Sequence, residues 1–205
     1  MDQSDLEAAL DKIIMGKPTQ NMFISTEEKR ITAYHEAGHA LTHALLNPDK
    51  NTLHKVSIIP RGNSGGHTAF LPKEKMYKTK QEFINCIIIC FGGRAAEQIA
   101  FSDIMTGPSH DIQSATQLAY SMVCTYGMSE KIGPVAYHYH PDSLLSGYAQ
   151  NTLSTIDNEV KTILENCYQQ AVTILTKHNT KLNSLANALI DKEELFAEEV
   201  YALIA

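Results

Sequence analysis

Two histidines four positions apart, His35 and His39, are the feature that most constrains how this chain can fold. They lie in the string His35-Glu36-Ala37-Gly38-His39. In an α-helix, residues i and i+4 lie about 40° apart around the axis, so both imidazoles can reach one ion. An extended chain would point them apart. The motif therefore predicts a helix here, and its small residues let other segments approach the two rings.

Glu36 gives this helix a chemical interpretation. A glutamate beside two metal-binding histidines is suited to polarise a metal-bound water rather than to bind the ion. Bound zinc lowers the pKa of water toward about 7, which makes a hydroxide-like nucleophile available at neutral pH. Glu36 would take the proton and pass it to the leaving amine. The motif thus indicates a zinc peptidase. His43, about 6 Å further along the axis than His39, is interpreted as a packing residue or a support for a ligand.

A catalytic zinc usually has three protein ligands and one open position. The candidates for the third ligand are Glu97, Asp111, His67 and His110. Glu97 follows an Arg-Ala-Ala string on a predicted helix, and Asp111 lies in the first turn of a helix after a Gly-Pro break. Spacing alone puts Asp111 only slightly ahead of Glu97.

Composition and charge limit the classes of protein to which the chain can belong. A chain of 205 residues with 43% hydrophobic and 20% charged residues is typical of a soluble globular protein. The net charge of -6, without a dense Lys/Arg run, argues against a nucleic-acid partner. The longest strongly apolar run, residues 86–91, is far short of the roughly 20 residues that span a bilayer. We therefore expect a soluble chain without membrane contact.

Cys86 and Cys90 are interpreted as packed thiols.

The pattern along the chain predicts a mainly α fold with a small β-sheet. Ser25 or Thr26 should open the motif helix, which ends near Leu46, and Gly92-Gly93 should lie where another backbone packs closely. Asp191–Glu194 has the form of a capping box that starts the final helix. The other predicted elements are helices at 1–14, 79–100, 109–126 (with Ser109 as N-cap), 151–178 and 181–190, and strands at 53–59, 67–71 and 135–139.

Several strings in this order resemble the peptidase domain of the FtsH-type membrane-anchored ATP-dependent zinc metalloproteases. The similarity runs through essentially the whole chain and is far more specific than the zinc motif alone. The strings are residues 5–16, 28–40 (EKRITAYHEAGHA), 54–62 (HKVSIIPRG), 91–97 (FGGRAAE), 106–116 and 127–134.

The resemblance implies a site. The family's third zinc ligand falls on Asp111, beside His35 and His39, with Glu36 as the catalytic base and Zn²⁺ as the cofactor. Glu97 then becomes a helix residue that ion-pairs or caps.

The resemblance also implies an organisation. Residues 1–205 would form one peptidase domain, with a helix and connector from the ATPase side at 1–25, the zinc-site core at 26–140 and a helical part at 141–205. In the family such domains form a homohexameric ring below ATPase modules of the same chain, which feed in unfolded or damaged polypeptides. The parent would be membrane-anchored, with this domain on the cytoplasmic side or on the matrix or stroma side of an organelle.

The chain departs from the family in two respects. It contains no ATPase module and no transmembrane segments, so we interpret it as an excised domain. His67 and Ala69 depart from the family's pattern in the second strand, where we expect the substrate backbone to add as a further strand. Two rival interpretations are an intramembrane metalloprotease, which the charged residues on both sides of the motif exclude, and a non-catalytic scaffold. The scaffold is disfavoured because His35, Glu36, His39 and Asp111 are all present.

Overall fold

The computed structural model describes residues 25–47, 49, 52–61, 64–71, 75–137 and 148–205. The predicted helix at 1–14 and its connector lie outside these residues. The described part is mainly helical with one small antiparallel sheet, which confirms the predicted fold class. In chain order its elements are α1 (Thr26–Leu46), β1 (Leu53–Ser57), β2 (His67–Phe70), α2 (Lys80–Cys90), α3 (Gly92–Phe101), α4 (Ser109–Tyr120), a π-helical turn (Ser121–Thr125), α5 (Gln150–Lys177), α6 (Asn179–Lys192), β3 (Glu194–Phe196) and α7 (Ala197–Leu203).

Helix α1 is the central element. It begins with a capping box, in which Ser25 accepts a hydrogen bond from the Glu28 backbone and the Glu28 side chain accepts one from the Ser25 backbone. Its middle turns are buried, and α1 packs against α3, α6 and the sheet. Tyr34 donates a hydrogen bond to Asn183 of α6 at 2.8 Å. A helix held on so many sides is a rigid platform for side chains that project from its middle.

Helices α1 and α3 approach each other through glycines. A Cβ added to Gly38 would lie 2.3 Å from the carbonyl oxygen of Gly92, and one added to Gly92 would lie 2.7 Å from that of Gly38. The structure thus confirms the predicted close approach of another backbone at Gly92. The single helix predicted at 79–100 is divided at Phe91 into α2 and α3.

The stretch formed by α2 and α3, Lys80–Phe101, is long and apolar enough by length and composition to cross a membrane. Half of its most apolar part is buried inside the fold, a property that core helices of soluble proteins share. Cys86 and Cys90 on α2 are free, partly buried thiols.

The sheet has the strand order β2-β1-β3, and all pairs are antiparallel. The predicted pairing of the first two strands is confirmed, with Val56 opposite Thr68. Among the described residues β2 pairs only with β1, so its other edge is not covered by a strand.

The third strand corrects a prediction. Residues 191–194 do not start the final helix, because α6 continues to Lys192 and Glu193 turns the chain in the left-handed region (φ 65°). Glu194 then begins β3, and α7 starts only at Ala197. The box that caps α7 uses Glu199, whose carboxylate accepts a hydrogen bond from the Phe196 backbone at 3.1 Å.

Other boundaries also differ from the predictions. Ser109 is the first residue of α4 and Pro108 is its N-cap, so the predicted cap is displaced by one residue. Helix α4 ends at Tyr120, and the π-helical turn follows it directly. Residues 135–137 are not a strand, and 138–139 lie outside the described residues. The long helices α5 and α6 lie close to their predicted positions.

Candidate metal centre

Three side chains from two helices converge beside α1. His35 and His39 project from α1, and Asp111 projects from the first turn of α4. The Nε2 atoms of the two histidines are 3.1 Å apart. Asp111 Oδ2 lies 3.3 Å from Nε2 of His35 and 3.4 Å from Nε2 of His39. Within the described residues, these three form the one group whose ligand atoms are close enough to share a metal ion.

The outer nitrogens of both rings are held by acceptors. His35 Nδ1 lies 2.7 Å from Glu97 Oε1, and His39 Nδ1 lies 2.7 Å from the backbone oxygen of Ile89. A carbonyl or carboxylate oxygen only accepts, so each Nδ1 carries the proton and donates. Each Nε2 therefore directs its lone pair toward the shared point in the neutral ring, which is the arrangement of metal-binding histidines.

The spacing of the three donor atoms fits zinc. Zinc bonds to nitrogen and oxygen are about 2.0–2.2 Å long, so two ligands of a tetrahedral ion lie roughly 3.3–3.6 Å apart. The observed separations of 3.1, 3.3 and 3.4 Å are close to this range. Two imidazoles and one carboxylate also match the donor types of catalytic zinc sites, which leave a fourth position open.

The charges around His35 favour a cation. Burial opposes protonation of this ring, but hydrogen bonds with Asp111 and Glu97 and the nearby negative charges outweigh it and raise the pKa of His35 to about 10. Burial acts against the charged form of Asp111 as well, yet its bonds to the two histidines hold the pKa of Asp111 well below the ordinary value of an aspartate. The neighbouring carboxylates thus favour a positive charge at this site.

Glu97 has a more specific position than a conventional helix residue. Its side chain is almost fully buried (1% exposed), and it bonds to His35 Nδ1 rather than facing the donor atoms. A buried carboxylate is stable only when it is paired, and the His35 ring is that partner. The ion pair expected of Glu97 is present. It fixes the orientation of the ring.

Glu36 points from α1 toward the sheet. Its side chain is buried, and Thr68 of β2 donates a hydrogen bond to Glu36 Oε2 at 2.7 Å. The same hydroxyl lies 3.3 Å from the backbone oxygen of Glu36. Sequence inspection missed Thr68, and its only available signal was that it follows His67 in the strand assigned to the substrate.

A cavity of about 1100 Å³ opens onto these residues. Its lining includes residues of β2 with the preceding glycines, and residues of α4 with the loop before it. His67 and His110, the other candidates for a third ligand, line this cavity but do not join the group of three. His43 lies away from it, packed on Phe70 with its Nε2 2.9 Å from the hydroxyl of Thr52.

Comparison with known proteins gives a consistent result. Residues 22–203 match the family model of peptidase family M41. The chain is 38% identical to the ATP-dependent zinc metalloprotease FtsH of Caldicellulosiruptor bescii and 40% identical to FtsH 3 of Symbiobacterium thermophilum, in each case over all of this chain and 34% of the relative. It is also 40% identical to FtsH 1 of Thermoanaerobacter sp. strain X514, over 96% of this chain and 33% of the relative. The chain thus spans about a third of the length of these relatives.

Proposed function

Because this chain belongs to peptidase family M41, we propose that it is a zinc-dependent endopeptidase domain in which His35, His39 and Asp111 hold the metal. Glu36 is the catalytic base. One observation carries this assignment: two Nε2 atoms and Asp111 Oδ2 meet at zinc-like spacing, next to a glutamate that lines the same cavity. Within this proposal Asp111, and not Glu97, is the third ligand, because the carboxylate of Glu97 is bonded to the far side of the His35 ring.

The reaction is hydrolysis of a peptide bond. When bound, zinc acts as a Lewis acid that activates a water molecule and polarises the scissile carbonyl. Glu36 accepts the proton of the attacking water and delivers it to the leaving amine. Thr68 bonds to Oε2 of Glu36, so Oε1 is the atom we assign to this proton transfer. Glu97 and Ile89 hold the Nδ1 protons, which keeps both imidazoles in the tautomer that binds metal.

The substrate is an extended polypeptide. Residues of β2 line the cavity, and the strand has no neighbour on its outer edge among the described residues, so that edge can offer backbone donors and acceptors to a peptide. His67, the first residue of β2, would then face a substrate side chain and contribute to subsite preference. Recognition through backbone atoms suits unfolded or damaged proteins, because it does not depend on sequence.

We also propose how the longer protein that contains this chain is organised. The names of the relatives state that those proteins are ATP-dependent, and this chain spans a third of their length. We place the chain in a membrane-anchored, homohexameric protease whose ATPase module, in the same parent chain, delivers substrate to the cavity. The domain then lies on the cytoplasmic side, or on the matrix or stroma side of an organelle.

Glu36→Gln tests the proposal. The amide cannot act as a base, whereas the three ligands remain. Metal content per chain after zinc supplementation should be about one zinc for both the variant and the wild type. Cleavage of an unstructured fluorogenic peptide should fall by about a hundredfold or more in the variant. A variant that keeps more than a few per cent of the wild-type turnover would remove Glu36 as the base. A wild type that takes up no zinc would favour the scaffold instead.

A further inference from the structure

Two glycine pairs flank helix α1. Gly65-Gly66, just before β2, lies on the side of α1 that carries Glu36. Gly92-Gly93, at the start of α3, lies on the side that carries His35. Within each pair, a Cβ added to one glycine would meet a different set of atoms from a Cβ added to the other. These contacts distinguish glycines that allow close packing from glycines that limit the position of a functional side chain.

Gly93 lies directly against the ring of His35. A Cβ built on Gly93 would be 2.4 Å from Cε1, 2.5 Å from Nδ1 and 2.7 Å from Nε2 of that ring. Real Cβ atoms essentially never come within 3.0 Å of another group. The three nearest atoms all belong to the imidazole and none to the backbone of α1. Gly93 thus limits the position of the His35 ring by contact, while Glu97, one helical turn later, accepts a hydrogen bond from its Nδ1.

Gly66 lies close to the side chains of both Thr32 and Glu36. A Cβ built there would lie 2.9 Å from both Cγ and Oε1 of Glu36, and 2.7 Å from Cγ2 of Thr32. Thr68, two residues later, bonds to Oε2 of the same carboxylate. One segment of chain therefore limits Oε1 by contact and Oε2 by a hydrogen bond.

Two other glycines provide the contrast. Gly92 faces the α1 backbone at Gly38 and the Thr42 hydroxyl, so its role is close helix packing. Gly107 lines the same cavity, but a Cβ there would meet only Glu97 Oε1, at the ordinary distance of 3.7 Å. Close contact with a functional side chain is thus specific to Gly66 and Gly93 among these cavity and helix glycines.

We propose that Gly93 and Gly66 are separate positioning residues, Gly93 for the His35 ring and Gly66 for the Glu36 carboxylate. The inference rests on the proposed function, since it concerns the same zinc and base residues. A methyl group at 93 forces the ring away from the point where the donor atoms meet. A methyl group at 66 forces the carboxylate to turn while the three metal ligands stay where they are. The lack of a side chain at Gly93 then maintains metal binding, and the lack of one at Gly66 maintains proton transfer.

The first measurement needs no metal. The chain is labelled with ¹³C at histidine Cε1 and glutamate Cδ, and spectra are recorded after chelation, with His35 and Glu36 assigned from His35→Ala and Glu36→Gln. Gly93→Ala should move the His35 signal and leave that of Glu36, and Gly66→Ala should do the reverse. Gly107→Ala should move neither. If each alanine leaves its own partner's signal in place, the positioning role is wrong.

The second measurement uses zinc. Competition with a chromophoric chelator should show at least a tenfold loss of zinc affinity for Gly93→Ala, whereas Gly66→Ala and Gly107→Ala should keep the wild-type affinity. In the Co²⁺-substituted protein the visible spectrum should change only for Gly93→Ala. For zinc-loaded Gly66→Ala, kcat for the unstructured peptide should fall at least tenfold with KM nearly constant.

The same data separate the two levels of inference. If the wild type itself binds no zinc, the proposed function fails, and the metal-free spectra still decide whether the glycines position His35 and Glu36. If the wild type binds zinc and Gly93→Ala binds it equally with an unchanged Co²⁺ spectrum, the positioning proposal alone fails. Gly92→Ala checks for general damage, since it should lower the thermal stability without changing the Co²⁺ spectrum.

Discussion

The two sides of helix α1 fix their functional groups by different means. On the side that faces α3 and α4, ionisable groups form a connected series, from Glu97 through His35 to Asp111 and His39. On the side that faces β2, Glu36 is held by one neutral hydroxyl, that of Thr68, and by contact with Gly66. The chain therefore holds its proposed metal ligands through several linked polar contacts and its proposed base through one hydrogen bond and one close contact, and the two sets can be broken separately.

The largest effect should come from removing a proposed ligand on the helical side. Asp111→Ala should lower zinc affinity by more than about a hundredfold, because it deletes a donor, whereas loss of an outer partner typically costs ten- to a hundredfold. Glu97→Ala should fall in that smaller range. Glu97→Gln should cost less still, because the amide oxygen can accept the Nδ1 hydrogen bond of His35. Chelator competition on all three variants gives the ranking, and the reverse order would make Glu97 the third ligand.

A smaller effect is expected on the sheet side. Thr68→Val keeps the shape of the side chain and removes the hydroxyl that bonds to Glu36 Oε2. A hydrogen bond to a charged group contributes about 1.5–3 kcal/mol, so peptide cleavage should slow roughly ten- to a hundredfold. Zinc content should not change. Thr68→Ser, which restores the hydroxyl, should recover most of the rate. Equal rates for the valine and serine variants would mean that the bond has no part in positioning the base.

The smallest expected effect is on the pH dependence of stability and comes from His43. This residue lies on α1, but its side chain contacts Thr52 and Phe70 rather than the proposed metal ligands or Glu36. Burial lowers the pKa of His43 to about 4, the opposite direction to His35, because its near neighbours Thr52 and Phe70 are neutral. Between about pH 4 and its ordinary value of 6.5, the unfolded chain binds a proton here that the folded chain does not. Stability therefore falls as the pH drops through this window.

Thermal unfolding of the chelated protein at pH 7 and pH 5 measures this contribution. His43→Gln can retain a hydrogen bond to Thr52 and has no proton to take up, so its Tm should fall by a few degrees less than that of the wild type over the same interval. Parallel losses in the two proteins would show that His43 does not titrate differently on folding.

Local sequence patterns were sufficient for much of the fold. Ser25 or Thr26 was predicted to open α1, and Ser25 is its N-cap; the motif at 35–39 required a helix there, as found. The Gly92-Gly93 pair predicted close backbone packing, and Gly38 supplies it. These features succeed because their causes, capping and the absence of a side chain, act over a few residues.

Other features depend on contacts between distant segments. β3 has three residues and directly follows a sequence that resembles a capping box, with which it shares Glu194. It forms because Leu195 pairs with Val56 of β1. Neither the bond from Thr68 to Glu36 nor the choice between Glu97 and Asp111 has a local signal. Both depend on how β2, α3 and α4 lie around α1, which residue spacing does not specify.

The strand order β2-β1-β3 also bears on how the domain matures during synthesis. The proposed ligands come from α1 and α4, with Glu97 from α3 between them in the chain, so all of them are synthesised before β3. The strand that completes the sheet behind Thr68 emerges much later, after α5 and α6. A nascent chain can therefore gather its metal-binding residues before the sheet that supports its base is complete. By this order, the proposed cleavage site would be complete only after the proposed metal site.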